Sequence, residues 1–134
     1  VIADIPGIIE GAHEGKGLGH QFLRHIERTR TLALMIPADA LEVQEEYARL
    51  MDELRAYSPE LAAKPHCVVF TKADLLPPEW PAPRVDAPQA WGQFVVSSVA
   101  QRGLDALLEG LWQHAAREIA REQVPAEDAE PWRP

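Results

Sequence analysis

Short unbroken apolar runs and longer helical stripes take turns along the chain. Residues 1–3, 32–36, 66–70 and 94–96 are mostly apolar runs bounded by proline, glycine or polar residues, which predicts buried strands. Between them the spacing changes. Leu18, Phe22, Leu23 and Ile26 recur at helical intervals behind a loop holding Gly7, Gly11, Gly15, Gly17 and Gly19. Val43, Tyr47, Leu50, Met51 and Leu54 form a second stripe that ends near Tyr57, with Asp39 and Glu42 spaced as a capping box ahead of it. Ser58 and Pro59 look like a cap and first-turn proline for a short helical turn. Pro77, Pro78, Pro81, Pro83 and Pro88 predict an irregular stretch over residues 77–92, because each proline lacks a donor and restrains its predecessor. Leu104, Leu107, Leu108, Leu111, Ala115 and Ile119 then predict a helix to about Arg121. Strands alternating with helices, and apolar on both faces, indicate an α/β layered fold with a mostly parallel sheet and helices on both faces.

Composition narrows the class. With 46% apolar and 25% charged residues the chain is an ordinary globular one, and no stretch nears the roughly 20 apolar residues of a membrane-spanning helix. Thirteen Lys and Arg against 21 Asp and Glu leave a net charge of −8, which argues against a broad nucleic-acid surface. One cysteine, Cys67, allows no internal disulfide, and nothing at the N-terminus reads as a secretory signal, so a cytoplasmic setting is expected. The chain starts at Val1 inside an apolar run, without a Met, and reads as a cut.

Ligands of parallel α/β sheets bind at the carboxyl ends of the strands, so the residues just after each strand carry the chemistry. Asp4, Ile5, Pro6 and Gly7 follow the first run. A carboxylate there can hold a water of a magnesium shell, and the glycine lets its backbone N–H approach a phosphate oxygen; a plain Asp-Gly turn is the alternative. Thr71, Lys72, Ala73 and Asp74 follow the third run. A carboxylate such as Asp74 can accept from the two donors on one edge of guanine, and Lys72 can lay its stem over the purine face; an N-cap Asp opening Leu75 and Leu76 is the alternative. Ser97, Ser98 and Val99 follow the last run and can offer a backbone N–H to a ligand carbonyl.

The order DxPG, TKAD, SSV, each behind an apolar strand, resembles the guanine nucleotide-binding motifs of the small G-domain fold. The segment DIPGIIEGAHEGKGLGHQFLRHIERT, residues 4–29, resembles the glycine-rich switch region of the Obg family of GTPases, and YSPEL, residues 57–61, is similar to a second family segment. The resemblance implies a truncated Ras-like P-loop NTPase G domain over residues 1–121, followed by an acidic, Pro-containing tail over residues 122–134. It implies a GTP-binding, GTP-hydrolysing switch linked to ribosome assembly and stress signalling, with the large ribosomal subunit or assembly factors as partners and Mg2+ as cofactor. By the same resemblance Asp4 sits near Mg2+ through water, Gly7 senses the γ-phosphate, and Lys72 and Asp74 hold guanine. Ser97, Ser98 and Val99 close the base pocket, chiefly by backbone N–H.

Several positions depart from the wider pattern. Thr71 stands where the NKxD motif has Asn, and its hydroxyl can supply part of that amide's hydrogen bonding. Ile8 stands where many GTPases place a water-orienting glutamine, so no catalytic residue is identified and slow intrinsic hydrolysis is expected. Walker A is missing: in residues 11–17 the spacing is one short and Gly17 stands in place of the magnesium-binding hydroxyl. By resemblance the chain starts at the family's third strand, leaving an unfilled slot between residues 1–3 and 32–36. The fragment alone is therefore expected to be weak or inactive.

A rival reading is a non-catalytic module that docks a partner through the Gly-rich loop and the following helix, with Arg24, Arg28 and Arg30 outward. His13, His20 and His25 read as surface residues, because the five-residue step from His20 to His25 misses the same-face spacing. Ser97 and Ser98 lack the G-x-S-x-G turn of a hydrolase nucleophile. Trp80, Trp91 and Trp132, near prolines, read as local packing anchors.

Overall fold

A computed structural model describes residues 28–128, those from 122 onward by backbone alone. The readings for residues 1–27, including Asp4, Ile5, Pro6, Gly7 and Ile8, lie outside the described residues, as does Trp132. Within them run β1 (Leu32–Pro37), α1 (Val43–Tyr57), α2 (Pro59–Ala62), β2 (His66–Thr71), a 3-10 turn (Ala73–Leu75), β3 (Ala90–Val95) and α3 (Leu104–Asp128). The three strands form one sheet in the order β1-β2-β3, every pair parallel, with helices on both faces. This is the expected α/β layered architecture with a parallel sheet.

The register explains the two cores. Leu34 pairs with Val68 and Ile36 with Phe70, and this face packs under Leu50, Met51 and Leu54 of α1 and Leu61 of α2. Cys67 and Val69 point the other way and pack with Val96 under Leu104, Leu107 and Leu111 of α3. Phe70 and Ile36 are fully buried, each contributing roughly 1.5–3 kcal/mol relative to exposure. Burial also pushes the Cys67 thiol up to about 11, which keeps it an inert core residue.

The sequence expectations hold for β2, buried on both faces from His66 to Phe70. They fail for one face of β1, whose residues alternate buried and exposed. Ala33 and Met35 pair with Cys67 and Val69 on the α3 side, yet α3 covers β2 and β3, and Met35 stays 54% exposed. The last strand starts earlier than its apolar run, at Ala90, and every residue in it is half-buried, so no continuous apolar signal marked it. Asp39 and Glu42 make no capping box: Glu42 is itself the N-cap, with no side-chain bond, so Asp39 stands three residues too early. Glu45 and Glu46 in the first turn favour the helix dipole instead. At α2 the reading holds, for Ser58 Oγ accepts from Leu61 N at 3.2 Å with Pro59 at the first position. The helix of α3 continues past Arg121 to Asp128.

Two glutamines hold the proline-rich strap before β3. Gln93 Oε1 accepts from Val85 N at 3.0 Å while its Nε2 donates to Val85 O at 2.8 Å. Gln44 clasps the backbone of Asp86 in the same way, at 2.7 and 3.1 Å. These amides stand in for strand pairing and seat Val85 and Ala87 in the core. Trp80, by contrast, is 61% exposed and is not the packing anchor expected of it.

Candidate functional site: the carboxyl rim of the sheet

The three strands end at one rim, tied crosswise by backbone bonds. Ala38 N donates to Thr71 O at 2.7 Å, Val96 N to Phe70 O at 2.8 Å, and Ala73 N to Val96 O at 3.1 Å. The TKAD and SSV segments therefore leave the sheet side by side. Lys72 takes a left-handed conformation, φ 58° and ψ 39°, which costs an L-residue about 1–2 kcal/mol. That turn opens the 3-10 segment and brings the Asp74 carboxylate across to the next loop.

There it meets Ser97. The fully buried Ser97 hydroxyl donates to Asp74 Oδ1 at 2.7 Å and accepts from Ala100 N at 3.0 Å. Its own N–H is already spent on Arg102 O at 3.0 Å, and Arg102 N returns a bond to Ser97 O at the same distance. The expected backbone N–H of Ser97 is thus held within the loop, and its hydroxyl holds the Asp74 carboxylate. Ser98 and Val99 stand exposed on the rim, and their N–H groups have no hydrogen-bond partner among the described residues. Two further residues with positive φ, Gln101 at 54° and Gly103 at 74°, close the loop before α3.

The structure thus gathers Thr71, Lys72, Ala73, Asp74, Ser97, Ser98 and Val99 at one place. Neither the Ser97 hydroxyl bond nor the left-handed Lys72 was read from sequence; the bond spans 23 positions and no local pattern signals it. Among the described residues, a hollow of about 240 Å³ beside Tyr47, Met51 and Pro88 and one of about 420 Å³ along the strap contain no rim residue. Among the described residues no group of His, Cys, Asp and Glu could hold a metal ion, and no helix is long and apolar enough to cross a membrane.

A model of the family described as 50S ribosome-binding GTPase matches residues 1–72, more than half the chain. The chain belongs to the 50S ribosome-binding GTPase family. Its similarity to relatives within the family extends further: it is 46% identical over 129 residues to the protein named GTPase Obg of Chlorobaculum tepidum, covering 96% of this chain and 37% of that protein. It is 51% identical over 116 residues to GTPase Obg of Flavobacterium psychrophilum, covering 84% and 35%, and 50% identical over 115 residues to that of Chloroherpeton thalassium, covering 84% and 34%. The Obg resemblance read from residues 4–29 is borne out, and the chain spans little over a third of the length of these relatives.

Within this GTPase fold the buried serine is a sensitive position. Ser97→Ala removes an acceptor from Ala100 N and the donor to Asp74, so it should lower stability by about 1–3 kcal/mol. Urea denaturation measures this, and an unchanged midpoint would show that the hydroxyl is dispensable.

Proposed function

We propose that the chain is the guanine-reading part of a GTP-binding and GTP-hydrolysing switch domain of an Obg-like ribosome-assembly GTPase. The bond from Ser97 Oγ to Asp74 Oδ1 at the rim is the observation that carries this reading. Guanine presents an N–H and an exocyclic NH2 on one edge, and an ionised carboxylate offers about four lone-pair sites to accept them. Ser97 occupies one of those sites and fixes the plane of the other oxygen before a ligand arrives. Adenine has no such donor pair, so the same carboxylate rejects it.

Lys72 is exposed and its aliphatic stem can cover a purine face while the ammonium stays in water. The N–H groups of Ser98 and Val99, without a partner among the described residues, suit the guanine carbonyl. Thr71 stands where the NKxD motif has Asn, and its hydroxyl can supply part of that amide's hydrogen bonding.

On the phosphate side, Asp4 would hold Mg2+ through water, with Ile5 and Pro6 shaping the turn and Gly7 near the γ-phosphate. The ion, when bound, neutralises charge on the phosphates. Ile8 can neither donate nor accept a hydrogen bond, which favours slow hydrolysis. The chain lacks a Gly-x-x-x-x-Gly-Lys-[Ser/Thr] cradle, so most of the phosphate affinity is missing. We place the complete protein in the cytoplasm with the large ribosomal subunit or its assembly factors as partners.

Titration of the 134-residue chain with a fluorescent GDP analogue tests this. The expected result is weak binding, no tighter than micromolar, that GDP and GTP compete away and ADP does not. Submicromolar affinity, or equal competition by ADP, would overturn it.

A further inference from the structure

Two histidines sit at the amino-terminal end of the sheet, away from the rim, one on each face: His66 is buried and His114 half-buried. His66 opens β2 and is 3% exposed. Its ring stacks on Tyr47 of α1 at a centroid distance of 5.7 Å, with Nε2 and Tyr47 Oη 2.7 Å apart. His114 of α3 lies parallel to Trp91 of β3, centroids 4.6 Å apart and planes within 7°. Its Nε2 atom is buried with no hydrogen-bond partner among the described residues, and Glu118 Oε1 stands 3.9 Å away.

A short relay runs from Trp91 to the backbone just before His66. Trp91 Nε1 donates to Thr31 Oγ1 at 2.7 Å, and Thr31 Oγ1 donates to Pro65 O at 2.9 Å, the residue just before His66. Each helix thus rests on a strand's amino end through a histidine stacked on an aromatic ring. A neutral imidazole suits both places, whereas an imidazolium there gives up hydration that the surroundings replace poorly.

We propose that this end of the sheet is an acid-operated release, in which proton uptake by His66 and His114 loosens α1 and α3 from the strands while the rim stays closed. The charged and titratable groups around them permit this. Around His66, α1 presents Tyr47, with Arg55 acting on that phenol, and the neighbouring strands present Leu32 and Ala90. Around His114, its own helix presents Glu118, Arg117 and Arg121, while β3 presents only Trp91 and Phe94 and the residue before β1 is Thr31. Among the described residues the rim depends on backbone bonds and on Asp74 with Ser97, and no histidine takes part in those bonds.

Burial holds His66 below the ordinary imidazole range. It does the same for His114, where Glu118 pulls the value up and Arg117 and Arg121 push it down. The native state therefore binds fewer protons than the unfolded chain once the pH drops below about 6.5. Stability is complete above that pH and is lost as the pH falls.

Urea unfolding of the 134-residue chain between pH 7.5 and 5 reads the effect. Below about 6.5 the unfolding constant should rise up to about tenfold per pH unit for each histidine. The His66→Gln/His114→Gln double variant should lose that increment. NMR titration of the unmodified chain gives an independent reading, even where the variant does not fold. Both rings should titrate below 6.5 and the amides of Thr31, His66 and Trp91 should move with them, those of Asp74 and Ser97 holding still. A ring titrating at or above 6.5, an undiminished acid response in the double variant, or rim amides moving in step would overturn the proposal.

Discussion

Gly103→Ala should destabilise the chain by roughly 2–5 kcal/mol, a large share of the 5–15 kcal/mol that holds a domain folded. Gly103 sits at φ 74°, where any L side chain is strained by about 1–2 kcal/mol. An added Cβ would also collide with the carbonyl oxygen of Val95, and that oxygen belongs to β3, not to a side chain that could swing aside. Relief requires moving the loop, and the loop is closed by the paired bonds between Ser97 and Arg102. Neighbouring Gln101, also at positive φ, provides the contrast. Gln101→Gly removes strain but adds unfolded-state freedom, and the two effects offset to within about 1 kcal/mol. Urea denaturation of both variants decides the matter: a Gly103→Ala chain as stable as the parent would mean that the loop is not set by this contact.

What could be read from the sequence was whatever a local pattern records. The apolar runs at residues 32–36 and 66–70 and the stripe from Val43 to Leu54 located two strands and a helix, because burial in layers imposes those periods. Ser58 and Pro59 marked α2 because capping is a contact within one turn. The exposed face of β1 was not legible, for Met35 is as apolar as Ile36 and only the reach of α3 decides which is covered. The clasp of Gln44 and Gln93 on the strap was equally hidden, since an amide far along the chain replaces the pairing that prolines forbid. At the rim, the residue types named the chemistry but not the geometry. Asp74 and Ser97 could be set side by side on the strength of motif order, whereas the hydroxyl that links them follows from the left-handed turn at Lys72.

That link bears on the largest functional effect expected, the loss of base discrimination in Asp74→Ala. Two charge-assisted hydrogen bonds to guanine are worth about 1.5–3 kcal/mol each, so removing both should lower the preference for GDP over ADP by a hundredfold or more. Asp74 is exposed, so its removal leaves the core intact. The buried Ser97 hydroxyl keeps its bond from Ala100 N while losing its acceptor, at a cost of about 1–3 kcal/mol. Fold and recognition therefore separate, which a core substitution cannot achieve. Amide NMR at millimolar nucleotide suits so weak a binder. GDP should shift the amides of Lys72, Asp74, Ser98 and Val99 in the unmodified chain, and ADP should leave them in place. In Asp74→Ala, GDP at the same concentration should do no more than ADP. If GDP still moves those amides and ADP still does not, discrimination resides in the backbone of the Ser97 loop, and the carboxylate held by Ser97 is not what reads the base.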